Sequence, residues 1–100
     1  MTGSLPLPSE RAVVVAAQRH VSSELGGEAV VLDMDRGVYF GLNSVAARVW
    51  ELVQTPQAVS VLIDHVVAEF DVERARCALD VRELLRKLAE QRLVSVTETA

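Results

Sequence analysis

The stretch from Val30 to Val53 constrains the fold of this chain more than any other part. Apolar residues alternate with other residues over 30–34 and again over 38–42, which is typical of β-strands with one buried face. Gly37, between the two runs, supplies the backbone freedom that a hairpin turn needs. Asn43 predicts a helix N-cap, because its side-chain oxygen can accept from the free amides of the next turn. We therefore predict a β-hairpin that leads directly into a helix.

Other strands are indicated on both sides of this hairpin. Residues 20–25 and 28–34 flank Gly26-Gly27, a pair that satisfies the positive-φ requirement of a two-residue turn. Three antiparallel strands are therefore expected before the first helix. Residues 12–17 are apolar without a clear period, so an extra strand there remains open. Residues 93–96 alternate and are compatible with a short strand that returns beside the sheet.

Three helices are expected after the sheet. The first follows Asn43. The second is predicted over Val61–Phe70, with Ser60 as its N-cap. The third and longest is predicted from about Val72 to Gln91, with Asp71 as its N-cap. The resulting fold class is α+β, a winged helix-turn-helix-like domain in which a three-stranded antiparallel sheet is followed by three helices.

Length and composition point to one domain. A chain of 100 residues builds a single small core, and we expect it to occupy residues 12–97, preceded by a flexible N-terminal arm over residues 1–11. The single cysteine excludes an internal disulfide and fits a reducing compartment. The sequence has no signal-peptide pattern and no apolar run of membrane-spanning length. We therefore expect a cytoplasmic protein that makes no membrane contact.

The predicted third helix carries more apolar surface than one core requires. Its apolar positions cover an arc of about 220°, whereas a helix on a single core needs only a little over 100°. Two interpretations remain open. Either the helix is clasped between the sheet and the other helices, or one flank lines a groove that is open to a partner. That flank consists of Cys77, Val81, Leu84 and Leu88.

The sequence has few residues in arrangements that are typical of catalytic sites. His20 and His65 have no cysteine or carboxylate at a spacing that forms a metal site. Cys77 lies in an apolar helix flank, where cysteine behaves as a small hydrophobic residue. None of the five glycines opens a helix as a phosphate-binding loop would. We therefore expect no enzyme, no catalytic residue, no metal and no cofactor.

A winged-helix DNA-binding regulator is the alternative function, in which the third helix would read DNA. From Asp71 to Arg92 the chain has six basic and five acidic residues, so the charges nearly cancel. This stretch also has no Asn or Gln before its last turn to contact adenine. The net charge of −4 further argues against nucleic acid as the main partner.

Several motifs resemble the PqqD-like family, the leader-recognition domains of ribosomally synthesised and post-translationally modified peptide (RiPP) pathways. The most specific is the GVYFGLN run at residues 37–43, which leads into a helix with VWEL at 49–52. Weaker matches lie at 29–33, at 70–72 and at 92–94. The chain departs from the family at Gln91-Arg92, where the family often has a glycine before the Leu-Val pair. The free-standing size and the YFGLN run are most similar to the small proteins of lasso-peptide pathways.

This resemblance implies a RiPP recognition element, which binds a peptide rather than catalysing a reaction. Members of the family bind the N-terminal leader of a precursor peptide as an added antiparallel strand on the third strand, facing the third helix. They then deliver the leader to a partner enzyme. In the lasso-peptide branch that enzyme is a cysteine leader peptidase, which is followed by a cyclase.

The residues themselves point to the same strand edge. Between Gly37 and Leu42 no Lys, Pro or acidic residue protects the edge, so an extended peptide could pair there. For Phe40 and Leu84, plain core packing is an equally good explanation. Arg74 and Lys87 are candidates for attracting an acidic leader. The predicted peptide-binding residues are Val38, Tyr39, Phe40, Gly41, Leu42, Arg74, Cys77, Val81, Leu84 and Leu88.

Overall fold

Two three-stranded antiparallel sheets and three helices form the fold, which a computed structural model describes for residues 5–17 and 20–98. The strands are β1 (Val13–Ala16), β2 (His20–Leu25), β3 (Glu28–Asp33), β4 (Val38–Leu42), β5 (Gln57–Ala58) and β6 (Val94–Thr97). The helices are α1 (Ser44–Leu52), α2 (Val59–Phe70) and α3 (Arg74–Glu90). The α+β class is therefore confirmed.

The predicted sheet is present as β2-β3-β4, with β3 in the centre. Its register pairs Val31 with Phe40 and Ala29 with Leu42, which places all four side chains on the face toward the core. Gly37 has a φ of 66°, in the left-handed region that favours glycine, and its N–H donates to the carbonyl oxygen of Asp33 at 2.7 Å. The hairpin that leads into α1 therefore forms where the alternation and the glycine predict it.

A second sheet with the order β5-β1-β6 corrects the expected place of the last strand. Residues 94–97 form a strand, but they pair with β1, with Val96 opposite Val14, and not with the hairpin sheet. The turn after α3 explains this path. The N–H of Leu93 donates to Leu88 O, and Leu93 O accepts from the N–H of Ala17, so the chain is directed along β1. The apolar residues 12–17, which the pattern left open, thus contain the central strand of this sheet.

The first turn of α2 replaces a predicted side-chain cap with backbone bonds. The prediction that Ser60 is the N-cap is wrong, since α2 already begins at Val59. The N–H groups of Val59 and Ser60 donate to the carbonyl oxygens of Ala12 and Glu10, both at 2.9 Å. These bonds satisfy amides that a capping side chain would otherwise serve. The α1 cap is as predicted, because Asn43 Oδ1 accepts from the N–H of Ala46 at 2.9 Å.

Asp71 ends α2 rather than beginning α3. It is the C-cap of α2 and lies in the left-handed region, with φ 53° and ψ 53°. Glu73 caps α3 instead, and its side chain accepts from the N–H of Arg76 at 3.3 Å. An aspartate is suited to an N-cap because its side-chain oxygen accepts from backbone N–H groups. It is also suited to a left-handed C-cap, because its short polar side chain tolerates that conformation. The prediction that Asp71 is the N-cap of the third helix is therefore wrong.

Arg92 has a left-handed backbone at the point where the chain departs from the family motif, just before the Leu-Val pair. Its φ is 62°, a left-handed conformation that glycine adopts without strain. The chain therefore turns here as a glycine would allow, with an arginine in that position.

The expected N-terminal arm is described from Leu5 onward; residues 1–4 lie outside the described residues. Its described part lies along α3 and the end of β6. Arg82 Nε donates to the carbonyl oxygen of Pro8 at 2.7 Å, and Ser9 Oγ donates to Glu98 Oε1 at 2.6 Å. Among the described residues, no helix is long and apolar enough to cross a membrane.

Candidate functional site

Strand β4 has an open edge. It pairs with β3 on one side, and across residues 5–17 and 20–98 no strand pairs with its other side. Tyr39 is 69% exposed and Val38 is also exposed, whereas Leu42 is buried at the other end of the strand. The outward N–H and C=O groups of β4 are thus placed to pair with an extended chain.

An apolar groove begins where β4 ends. It is a cavity of ≈380 Å³ between the start of α1 and the face of α3. Cys77 and Val81 are buried and form part of its wall, and Leu84 is half-buried beside them. The lining residues are Asn43, Val45, Ala46, Val66, Val72, Arg76, Cys77, Asp80, Val81 and Leu84. An apolar side chain that entered this groove would be removed from water on several sides.

The charged groups of the groove lie at its exposed margin. Arg76 Nε and Asp80 Oδ2 are 3.3 Å apart, and both side chains are largely exposed. Burial raises the pKa of the Cys77 thiol, and the Asp80 carboxylate acts in the same direction. The thiol is therefore protonated at neutral pH and contributes an uncharged surface to the wall.

Several of the predicted site residues come together in this arrangement. All five predicted strand residues lie on β4, and Cys77, Val81 and Leu84 line the groove. Leu88 is buried in the core and does not line it. Arg74 does not line it either. Its Nη2 lies 3.3 Å from Glu10 Oε1 and 3.4 Å from Asp64 Oδ1.

Groove residues of two kinds are not among the predicted site residues. Arg76 and Asp80 could have been found, because helical spacing places them beside Cys77 and Val81 on α3. Val45 and Val66 carry no such signal. They reach the groove only because α1 and α2 pack against α3, which is a tertiary effect.

Arg36 joins the hairpin to the far end of α3. Its Nη2 donates to the carbonyl oxygen of Gln91, the C-cap of α3, at 2.6 Å. Its Nε donates to Asp33 Oδ2 at 2.7 Å, and its guanidinium lies 5.7 Å from the centre of the Phe40 ring. Because Arg36 precedes β4, it holds the start of the open strand at a fixed distance from the end of α3.

Asp33 supports Arg36 from a buried position. Its Oδ1 accepts from the N–H groups of Asp35 and Arg36, while its Oδ2 accepts from Arg36 Nε. The side-chain bond from Arg36 lowers the pKa of the Asp33 carboxyl, against the opposing effect of burial. The folded state therefore favours the ionised carboxylate more than the unfolded state does.

The Asp33 carboxylate should make stability depend on acid pH. Its folded pKa is below the unfolded value of 3.8, so its contribution is present above the unfolded pKa and is lost as the pH falls through the folded pKa. We expect Asp33→Asn to unfold at a lower temperature than the wild type at pH 7, and the difference to narrow near pH 3. Thermal unfolding followed by circular dichroism measures this. The same difference at both pH values would contradict the role of the charge.

An open strand edge beside an apolar helix face defines a domain that can take an extended peptide as an additional strand. The comparisons with known proteins agree with this class. A family model described as coenzyme PQQ synthesis protein D (PqqD) matches residues 28–94. The chain therefore belongs to the PqqD family, and the resemblance seen in the sequence is confirmed.

Two solved structures are similar to this chain. "TbiB1 in Complex with the TbiA(beta) Leader Peptide" has 32% identity and a TM-score of 0.74, over 81% of this chain and 94% of that one. "Lasso peptide synthetase B1 complexed with the leader peptide" has 21% identity and a TM-score of 0.72, over 82% and 96% respectively, and shows the shared fold. A comparison with curated proteins gives no significant match.

Proposed function

We propose that this protein binds the leader region of a ribosomally synthesised precursor peptide by β-strand addition to β4, and presents it to an enzyme of lasso-peptide maturation. The observation that carries the proposal is the open edge of β4 beside the groove of α3. The 32% identity to TbiB1, a protein solved with a leader peptide, supports the choice of ligand.

Backbone pairing and side-chain burial would have separate roles in this binding. The bound leader would run antiparallel to β4, and each hydrogen bond would contribute about 0.5–1.5 kcal/mol with little demand on sequence. Alternate side chains would point toward α3, because successive residues of a strand face opposite sides. Those near the end of β4 would meet the apolar groove around Cys77 and Val81. The groove would thus select among peptides that the edge alone would accept.

The role that we propose is presentation and not catalysis. The Cys77 thiol is buried with a raised pKa, which makes it a poor nucleophile. The chemistry would be performed by partners, a cysteine leader peptidase and then a cyclase, to which the bound leader is delivered.

The DNA-binding alternative has no support from the comparisons. Three of the four arginines of α3 already contact acidic side chains. Arg76 lies against Asp80, Arg86 against Glu90 at 2.8 Å, and Arg74 against Glu10 and Asp64. Phosphate binding would have to compete with these contacts.

A titration followed by NMR tests the proposal. The probe is a synthetic peptide with the N-terminal segment of the precursor encoded beside the gene for this chain, added to ¹⁵N-labelled protein. We expect micromolar or tighter binding, with the largest amide shifts in residues 37–42 and 74–88. A control peptide that is N-methylated at those alternate residues whose N–H groups would face β4 cannot donate to it and should bind far more weakly. If the unmodified peptide leaves the amides of 37–42 unmoved, the proposal is wrong.

A further inference from the structure

The outer face of the hairpin sheet, which points away from the core, has a gap beside the open edge. Ser23, Val30 and Gly41 are register partners and form one row across β2, β3 and β4. The edge position of this row is a glycine, so the row ends without a side chain. The next row along β4 ends in Tyr39, which is mostly exposed.

This gap is a measurable notch. It encloses ≈330 Å³ and is lined by Ser23, Glu28, Ala29, Val30, Gly41, Leu42 and Asn43. Val30, which is 46% exposed, gives it an apolar wall. Glu28 and Asn43 lie at its end, one row beyond Val30 and Gly41. The Asn43 side-chain oxygen is already engaged by the N–H of Ala46.

The free domain gives no reason for a glycine at position 41. Its φ is not positive, unlike that of Gly26, Gly27 and Gly37, so the backbone there does not need glycine. A Cβ added at Gly41 would meet no atom within 4 Å, so the packing does not need glycine either. A β-branched residue would suit an edge strand better. The missing side chain is therefore best explained by something that approaches β4 from outside.

We propose that the notch receives one side chain of the bound leader, that of the residue paired with Gly41, and that this side chain is bulky and apolar. This inference rests on the proposed function and deepens it. In a strand added to β4, the residue opposite Gly41 points to the outer face, and its neighbours point toward α3. Its side chain can lie across Gly41 and cover the exposed part of Val30.

The lining of the notch disfavours both an acidic and a small occupant. The Glu28 carboxylate lies at its end and would repel an acidic side chain. A small side chain would leave Val30 exposed and the volume above Gly41 unfilled. The leader would thus be read on both faces, by the α3 groove on one side and by the notch on the other.

Substitution of Gly41 by valine fills the notch and provides the test. In the wild-type complex, NOEs to Gly41 identify the paired leader residue. Gly41→Val should have a melting temperature equal to or above that of the wild type, yet bind the leader about tenfold more weakly. A leader peptide with alanine at the paired residue should bind the wild-type protein about fivefold or more weakly than the unmodified leader does. This alanine peptide should bind Gly41→Val and the wild-type protein with affinities that agree within about threefold.

Two controls make the test specific. Ser95→Val adds the same side chain to an exposed position of β6, in the other sheet, and should leave the leader affinity unchanged. Leader peptides with alanine at a residue next to the paired one should still bind Gly41→Val about tenfold more weakly than the wild-type protein. The inference would be overturned if Gly41→Val bound the unmodified leader like the wild type, or if these neighbouring alanines also made the two affinities equal. A leader that does not bind the wild type at all would instead refute the proposed function.

Discussion

Replacing Leu84 with aspartate should lower the affinity for the leader peptide by about a hundredfold or more. Leu84 is half-buried and lines the groove next to Val81. A bound leader would cover what remains exposed of it. A carboxylate there would lose its hydration on binding without gaining a partner, and each 1.4 kcal/mol of that cost is about a factor of ten. Isothermal titration calorimetry with the synthetic leader measures the change.

Leu79→Asp is the matched control for this experiment. Leu79 is a leucine of the same helix, is 45% exposed, and does not line the groove. Its substitution should change the leader affinity less than about twofold. Because Leu84 also packs against the core, thermal unfolding of both variants must accompany the titration. Folded Leu84→Asp protein that binds the leader like the wild type would show that the α3 groove is not the binding surface.

Replacing Leu85 with alanine should lower the free energy of unfolding by about 2–5 kcal/mol. Leu85 follows Leu84 in the sequence but is fully buried, on the core face of α3. Its loss would remove apolar contacts and leave a cavity that the surrounding side chains fill only in part. A domain of this size has a total stability of about 5–15 kcal/mol, so the effect is a large fraction of it. Urea denaturation followed by circular dichroism measures the difference.

Leu79→Ala provides the comparison for stability and should shift the free energy of unfolding by about 0.5 kcal/mol or less. We expect Leu85→Ala to be mostly folded at 10 °C without denaturant. Under these conditions, the affinity of Leu85→Ala for the leader should be close to that of the wild type. The two faces of α3 would then be separable, one for folding and one for binding. An equal loss of stability in the Leu79 and Leu85 variants would contradict this assignment of faces.

The hairpin and the start of α1 could be predicted because their signals are local. The alternation over 38–42, the turn at Gly37 and the cap at Asn43 each depend on a few adjacent residues. Most of the specific family motif lies in the same stretch, from Gly37 to Asn43. The open edge followed from the same pattern, since an unprotected last strand of a meander has a free side.

The second sheet could not be predicted in this way. β1 and β6 are separated by most of the chain, and their pairing is set by how α3 ends against β1. The caps of α2 and α3 failed for a related reason. Ser60 is suited to an N-cap, but carbonyl oxygens of the N-terminal segment accept from the first amides of α2 instead. Asp71 is suited to an N-cap and equally to the left-handed C-cap that it forms. Both residues have the capping preference that the prediction assumed, but the tertiary structure decides where each helix begins and ends.

The groove was predicted on its α3 side alone. Cys77, Val81 and Leu84 share a flank by helical spacing, which the sequence displays directly. The opposite walls come from α1 and α2, and nothing in their sequences indicates that they meet α3 at this point. The position of Arg74 depends in the same way on where Glu10 and Asp64 happen to lie.

The bond from Arg36 to α3 ends on a main-chain oxygen, that of Gln91. Any residue at position 91 offers the same acceptor, so mutation there can alter the side chain freely while the hairpin and the helix keep their separation. Position 36 has no such latitude, because only a long, forked cation reaches Asp33, the Phe40 ring and the helix end together. One residue of this pair is therefore replaceable, and the other is not.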